Sequence, residues 1–146
     1  MFCFRRPVRF ADVDAARLVF FPRLLDYAHD ALESLFAGLP GGYPHLTMVE
    51  DIGIPTVRLL ARFEAPLRYG DVALFEIDVL RIGRTSVEVR HTIRREGDGE
   101  ICAVIEQVFV TSRLSTLTPV PVPPSVRALL GAHVVPDAAV RPGDPS

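Results

Sequence analysis

Two aspartates separated by one residue, Asp12 and Asp14, lie between an alternating apolar segment and the start of a predicted helix. Helix N-termini present backbone N–H groups without helical partners and a partial positive charge, which suits an oxyanion. A carboxylate a few residues upstream could hold a water molecule, or itself attack a carbonyl carbon, beside that oxyanion site. Because aspartates also cap helices and form turns, the spacing leaves acyl-transfer chemistry and a purely structural turn both open.

No other familiar catalytic motif accompanies this pair. The sequence lacks GxSxG, GxGxxG and HExxH, and its four histidines are scattered rather than clustered at metal-binding spacing. All sixteen cationic residues are arginine, so there is no lysine for a Schiff base or a P-loop. His91 has apolar neighbours on its predicted strand face, and we interpret it as a core histidine. We expect no metal ion and no cofactor.

The composition is that of one globular domain, with 146 residues of which 49% are hydrophobic and 23% charged. A net charge of −2 gives no basic field for nucleic acid. No apolar run approaches the ~18 residues of a membrane span, so we expect neither nucleic acid nor a membrane as a partner. Cys3 and Cys102 lack CxxC spacing and no secretory pattern follows Met1, which predicts free thiols and a cytoplasmic location.

The hydrophobic pattern predicts an α+β domain in which one long helix covers one face of a curved antiparallel sheet. Apolar residues at helical spacing follow Pro22 and end before Gly38, which indicates a helix of about four turns. Strands are predicted at residues 6–10, 57–64, 72–82, 86–94 and 101–111, the last four as a meander, with a loop at 38–55 and a short helix at 125–130. We expect one domain over residues 1–131 and a disordered tail over residues 132–146.

The segment RFADVDAARLVFFPRLLDYAHDALESLFAGLP resembles the signature of the 4-hydroxybenzoyl-CoA thioesterase family of hotdog-fold enzymes. In that signature a D-x-D motif precedes an apolar-aromatic-aromatic-proline sequence and a long central helix. The similarity extends to FEAPLRYGDV and RTSVEVRH and covers the chain to about Arg113. It implies a single hotdog domain with about five strands, acyl-CoA thioester hydrolysis, and a homodimer or dimer of dimers with the active site at the subunit interface.

The same resemblance assigns the chemistry to the D-x-D stretch and the helix start. Asp14 matches the family's catalytic acid, acting as nucleophile or as general base on water, and Asp12 would support it in the turn. The backbone N–H that polarises the thioester carbonyl falls on Phe21. Relatives often carry Tyr or His at that position, whereas the phenylalanine of this chain offers no side-chain donor there.

The resemblance also implies substrate contacts for four further residues. His29 matches a helix position where relatives carry His, Asp or Glu lining the site. Arg84 matches an arginine that meets the phosphates of CoA, and Arg81 is a nearby second candidate. Arg17 stands where relatives usually have glycine, so either the loop bends differently or Arg17 contacts the ligand. For His29 and the two later arginines, a plain solvated role stays equally open.

Two other functions remain compatible with the sequence. A non-catalytic hotdog domain that binds acyl-CoA or an acyl-carrier protein would keep the fold and the arginine contacts while Asp14 served only as a cap. A structural dimerisation module would have no affinity for any CoA ester, and the D-x-D stretch argues most strongly against it. Both aryl and aliphatic acyl groups stay open.

Overall fold

A long helix packs against one face of a five-stranded antiparallel sheet in the computed structural model, which describes residues 1–136. The five-stranded sheet has the order β1-β4-β5-β6-β3, and β2, β7 and β8 form a small second sheet. The strands are β1 (Phe2–Pro7), β2 (Ile52–Gly53), β3 (Thr56–Phe63), β4 (Val72–Ile82), β5 (Ser86–Arg95), β6 (Ile101–Val110), β7 (Ser112–Arg113) and β8 (Thr118–Pro119). The helices are α1 (Phe21–Phe36), α2 (Gly42–Met48) and α3 (Pro124–Gly131), and a 3-10 turn covers Phe10–Asp12.

Helix α1 forms where its apolar residues recur every three or four positions and face the sheet. Pro22 lies in its first turn, where a missing N–H costs no helical hydrogen bond. Seven of its residues are buried, namely Leu24, Tyr27, Ala28, Ala31, Leu32, Leu35 and Phe36. They pack on the inward side of β4, where Phe75, Ile77 and Val79 are fully buried and alternate with more exposed residues. The predicted long central helix is therefore confirmed.

The predicted meander of four consecutive strands is wrong for β3. This strand pairs with β6 at the far edge of the sheet, while β4, β5 and β6 follow one another. The physical reason is that β1 occupies the side of β4 that a meander would have given to β3, through six residue pairs from Phe2↔Ile77 to Pro7↔Val72. The first strand thus covers Phe2–Pro7 rather than residues 6–10.

The loop predicted over residues 38–55 contains regular structure. Helix α2 and strand β2 both lie within it. Leu46 is 1% exposed, and the Tyr43 ring lies 5.6 Å from the Phe36 ring in an edge-on contact. Packing of these two side chains on α1 outweighs the glycine and proline content that favoured a loop.

The chain beyond α3 continues to bond with the sheet. The Val79 N–H donates to the His133 carbonyl at 3.0 Å, and the Val135 N–H donates back to the Val79 carbonyl at 3.0 Å. This differs from the prediction of a disordered tail starting at residue 132. Residues 137–146 of that predicted tail lie outside the described part of the chain.

His91 is a core residue, as predicted, with its side chain fully buried. Its Nε2 atom lies 3.1 Å from Gln107 Oε1, whereas Nδ1 has no hydrogen-bond partner among residues 1–136. Burial lowers the pKa of His91 to about 4, against a small opposing effect of Gln107. The ring is therefore neutral in the folded protein at neutral pH.

We predict that His91 makes the fold sensitive to acid. In the unfolded chain the imidazole has its ordinary pKa of 6.5, and in the folded chain burial lowers the pKa to about 4. The contribution of the neutral ring to the free energy of unfolding is therefore fully present above pH 6.5. It is lost as the pH falls from 6.5 to 4. Its full loss corresponds to about 3 kcal/mol in the free energy of unfolding. Urea unfolding across this pH range, for wild type and His91→Gln, measures it.

The matched control for that experiment is His45→Gln, because His45 is exposed at the end of α2. His45→Gln should keep the acid sensitivity of the wild type, whereas His91→Gln should lose that component whatever its stability at neutral pH. An equally steep loss of stability in His91→Gln would show that other groups cause the acid sensitivity.

Candidate active site

The two aspartates belong to a closed loop between the 3-10 turn and α1. Val13 and Val19 form an isolated antiparallel bridge, and inside it the Asp14 N–H donates to the Leu18 carbonyl at 3.0 Å. The Arg17 N–H donates to the Asp14 carbonyl at 2.9 Å. Arg17 has a φ of 66°, the left-handed conformation, which costs a non-glycine residue about 1 kcal/mol. The loop thus makes a glycine-type turn although arginine occupies the position.

Asp14 lies at the exposed side of this loop. Its Oδ1 atom accepts a hydrogen bond from the Ala16 N–H at 2.8 Å, which fixes the carboxylate against the turn. Among residues 1–136 no donor is recorded for its Oδ2 atom. The carboxylate is therefore held by one oxygen, while the other is available to a water molecule or a substrate.

Asp12, unlike the exposed Asp14, is buried, with only 6% of its surface exposed. Its Oδ2 atom accepts hydrogen bonds from the Arg9 N–H at 2.9 Å and from the Tyr27 hydroxyl at 2.5 Å. Burial raises the pKa of Asp12, but these hydrogen bonds and the charges of nearby arginines together hold it below its ordinary value. Asp12 is thus a buried, ionised carboxylate whose Oδ2 atom accepts two hydrogen bonds and shapes the turn.

The start of α1 supplies an unused backbone donor next to the loop. The Val19 N–H donates to the Leu67 carbonyl at 2.8 Å, and the Phe20 N–H donates to the Asp12 carbonyl at 2.9 Å. Within the described chain the Phe21 N–H, the first of the helix, donates to no backbone carbonyl outside the helices and strands. Such an amide, at the positive end of a helix, can stabilise a negatively charged oxygen.

A largely apolar cavity of about 380 Å³ opens beside this amide. The loop contributes Leu18 and Val19, α1 contributes Phe21 and Leu24, and the segment after β3 forms the opposite wall. Glu64 in that segment is the one charged residue that lines the cavity. The sequence analysis assigned no role to Glu64. The feature that could have indicated it is its place in the FEAPLRYGDV segment, which the family resemblance covers.

Two phenylalanines line the cavity, Phe21 and Phe63, and a third, Phe20, packs against Phe21; all three remain strongly exposed. Phe20, Phe21 and Phe63 are 48%, 59% and 51% exposed. The Phe21 ring lies 5.5 Å from the Phe20 ring and 6.1 Å from the Phe63 ring. Exposed aromatic clusters of this kind mark surfaces that bind a ligand or another protein.

Within one chain, His29 lies apart from the loop that carries Asp14. It lies on the exposed edge of α1, with Nε2 4.0 Å from Glu33 Oε2. It follows Phe21 by eight residues, or about 12 Å along the helix axis. His29 lines a separate narrow slot with Glu33, Tyr43 and neighbouring apolar side chains.

The two candidate CoA-binding arginines are both exposed near the turn between β4 and β5, and neither lines the cavity at Phe21. The Arg84 carbonyl accepts the Val122 N–H at 2.8 Å, which anchors the turn. In the described chain the Arg84 guanidinium has no recorded ion pair. Arg81 instead lines a shallow cavity of about 300 Å³ on the outer face of the sheet, with Glu88 among its neighbours.

Neither a metal-binding cluster nor a membrane-spanning helix occurs in residues 1–136. No group of three or more His, Cys, Asp or Glu side chains is arranged to hold a metal ion in this part of the chain. No helix within it is long and apolar enough to cross a bilayer.

Comparison with known proteins gives a consistent result. The family model of the thioesterase-like superfamily matches residues 8–130. A 1,4-dihydroxy-2-naphthoyl-CoA hydrolase from Thermosynechococcus vestitus is 30% identical over 127 residues, covering 87% of this chain and 86% of that protein. A thioesterase-superfamily crystal structure from Jannaschia sp. CCS1 has a TM-score of 0.84 at 25% identity, over 92% of this chain and 94% of that one. A 1,4-dihydroxy-2-naphthoyl-CoA thioesterase from Synechocystis has a similar fold, with a TM-score of 0.82 at 23% identity, over 89% and 95% of the two chains.

The family match spans every structural part of the candidate site. It includes the D-x-D loop, α1, the cavity wall after β3, and four of the five strands of the main sheet. The predicted α+β hotdog fold and the predicted class of thioester hydrolase are confirmed. The chain belongs to the thioesterase-like superfamily.

Proposed function

We propose that this protein hydrolyses the thioester of an aromatic acyl-CoA, with Asp14 as the catalytic carboxylate and the Phe21 N–H as the oxyanion donor. The observation that supports the proposal is that three elements adjoin one loop. A carboxylate with one available oxygen, an unused amide at a helix start and an apolar cavity all border the loop of residues 13–19. Acyl transfer needs these components: a base or nucleophile, a preorganised donor, and a site that excludes water.

The reaction follows from this arrangement. The thioester carbonyl oxygen accepts the Phe21 N–H, which stabilises the negative charge that develops on it. Asp14 either removes a proton from a water molecule that attacks the carbonyl carbon, or attacks that carbon itself. In the second route the C–S bond breaks and the CoA thiolate leaves as the mixed anhydride forms, and water then hydrolyses the anhydride to the free acid and the Asp14 carboxylate. In the general-base route, the C–S bond breaks as the tetrahedral intermediate collapses, and the proton held by Asp14 passes to the leaving CoA sulfur.

Two features support an aromatic acyl group. The cavity mouth is lined with phenylalanine rings, which stack on or pack edge-on against another ring. The relative from Thermosynechococcus vestitus is named for a dihydroxylated naphthoyl-CoA. Glu64 at the cavity wall offers a hydrogen-bond acceptor to a ring hydroxyl, so we propose a hydroxylated aromatic acid as the acyl group.

We also propose that the functional form is a homodimer or a dimer of dimers joined through β3. In the described chain β3 pairs with β6 alone, so its other edge presents unpaired backbone groups. That strand exposes large apolar side chains on both faces, with Val57 61% exposed and Leu59 and Leu60 each 43% exposed. A second copy of this edge is the natural occupant because a two-fold axis pairs identical strands.

For Asp14→Asn we predict a loss of kcat on the order of 10² to 10⁴, because the amide keeps the size but cannot act as a base or carboxylate nucleophile. The melting temperature should change little, since the side chain is exposed and the Ala16 N–H can bond to the amide oxygen. Thiol release from hydroxyaryl-CoA and fatty acyl-CoA esters measures activity. Normal hydrolysis by Asp14→Asn would overturn the proposal, and wild-type binding without release of CoA would favour the non-catalytic acyl-CoA-binding alternative.

For Arg84→Ala we predict a rise in KM that exceeds any fall in kcat, because a guanidinium at the β4–β5 turn would pair with CoA phosphates. The effect should shrink at high salt, as expected for an exposed ionic contact. Arg81→Ala tests the second candidate. Arg5→Ala is the control. Arg5 is an exposed arginine that is already paired with Glu96, and it lies on β1, the edge strand opposite β3. An unchanged KM for Arg84→Ala at low salt would leave Arg84 without a role in binding CoA.

For the assembly we predict a dimer or tetramer by multi-angle light scattering. Leu59→Lys should weaken it, because a charged side chain on an edge strand opposes strand pairing. Activity should fall with dissociation as the protein is diluted. The control Leu117→Lys changes an exposed leucine in the turn between β7 and β8 and should leave the assembly intact. A stable wild-type monomer with full activity would contradict the proposed assembly.

A further inference from the structure

Asp12 connects the residue before the 3-10 turn, the residue before α1, and the body of α1. Its carboxylate accepts the Arg9 N–H before the 3-10 turn and the Tyr27 hydroxyl from the second turn of α1. Its carbonyl accepts the Phe20 N–H immediately before the helix. One residue thus ties the entry of the D-x-D loop, its exit and the helix body together. The bond to Tyr27 is the one among these that reaches the packed face of α1.

Tyr27 is suited to be a rigid anchor. It is 1% exposed, and its ring meets the Phe75 ring edge-on at 6.4 Å between centroids. The Arg6 guanidinium covers the ring at 4.7 Å from its centroid. Burial, and then the hydrogen bond and charge of Asp12, raise the pKa of Tyr27, so its hydroxyl stays a neutral donor at any pH at which the enzyme would be assayed. The ring has little freedom to move away from Asp12.

The position of Asp14 depends on this anchor. Asp14 follows Asp12 by two residues, and its own carboxylate is fixed by a single bond to the Ala16 N–H inside the same loop. The loop as a unit could therefore shift relative to α1 without breaking the internal bonds of Asp14. The Asp12 hydrogen bonds to Tyr27 and to the Phe20 N–H oppose that shift. A displacement of about 1 Å between reacting groups can cost on the order of 10² in rate.

We infer that Tyr27 is a positioning residue, which holds the Asp14 loop in register with the Phe21 N–H through its hydrogen bond to the buried Asp12 carboxylate. This inference rests on the proposed function, because it assigns Tyr27 a role in the chemistry of Asp14. It adds a residue from the buried face of α1 that has no access to the substrate. Tyr27 acts on the rate through the loop and not through binding of the acyl-CoA.

The test is Tyr27→Phe, which keeps the ring, its contact with Phe75 and the stacked Arg6 but removes the hydroxyl. We expect kcat to fall by about tenfold or more, with KM within a factor of about two of wild type. Stability is measured in parallel by urea unfolding, and activity is expressed per folded molecule. Asp12→Ala, which removes the acceptor, should lower kcat in the same way. The double variant should show much less than the sum of the two effects on the logarithm of kcat, because both changes remove the bond between the Tyr27 hydroxyl and the Asp12 side chain.

Ser115→Ala is the matched control. The Ser115 hydroxyl donates to the Asp51 carboxylate at 2.5 Å, the same kind of hydroxyl-to-carboxylate bond, in the turn between β7 and β8. Its loss should leave kcat unchanged. A purely structural role for Tyr27 would lower the urea midpoint of Tyr27→Phe while kcat per folded molecule stayed at the wild-type value, and that result would overturn the inference.

The Asp14→Asn background separates this inference from the proposed function. If Tyr27 acts through Asp14, adding Tyr27→Phe to Asp14→Asn should cause no further loss of the residual rate. If Asp14→Asn is fully active, the proposed function fails. If Asp14→Asn is inactive but Tyr27→Phe keeps the wild-type kcat, only the positioning role fails.

Discussion

The burial of the apolar face of α1 against the curved sheet is the constraint on which the rest of this structure depends. Ala31 and Phe36 are fully buried, and the β4 side chains beneath them are fully buried as well. Because such an interface is close-packed, the helix cannot slide or rotate without opening voids. The start of the helix at Phe21, and with it the direction of the first free N–H, is therefore fixed by side chains one to four turns away.

A buried charge connects this packing to the loop that precedes the helix. An ionised carboxylate as buried as Asp12 is tolerated only where donors replace the lost water. One of the donors, Tyr27, belongs to the packed face of α1, and the carbonyl of the same aspartate accepts the Phe20 N–H. The bonds that satisfy Asp12 thus restrain the loop that carries the neighbouring, exposed Asp14. The two aspartates of the D-x-D stretch differ in environment, since one is buried and the other is exposed.

The sequence predicted those parts of the fold that local pattern decides. The 3.6-residue period after Pro22 predicted α1, and an apolar segment between two turn signals predicted β4 with both of its bounds, Val72 and Ile82. The pairing of β3 with β6 could not be predicted, because periodicity reports which face of a strand is buried and not which strand lies beside it. Helix α2 was missed because its stability comes from packing on Phe36 rather than from local propensity.

For the candidate site, residue types and spacing left catalysis and a structural turn both open, and the family resemblance assigned the chemistry to Asp14 and Phe21. Neither pointed to the hydrogen-bond partners of Asp12. The bond between Tyr27 and Asp12 joins residues fifteen apart, and nothing in the spacing distinguishes it from ordinary helix periodicity. Glu64 enters the cavity because the chain crosses from the edge strand β3 past the start of α1 on its way to β4. That crossing follows from the strand order, so a residue of this kind becomes visible only once the topology is known.

The same crossing links assembly to catalysis. Phe63 ends β3, the edge proposed to pair with a second copy, and it also lies at the mouth of the cavity beside Phe21. A partner strand along that edge would cover the exposed phenylalanines and exclude water from the cavity. Because electrostatic interactions strengthen as water leaves, the N–H of Phe21 would then stabilise an oxyanion more effectively than it can in an open groove. A monomer that placed every catalytic atom correctly would still lack this effect, so the proposed assembly would serve the chemistry as well as the stability of the protein.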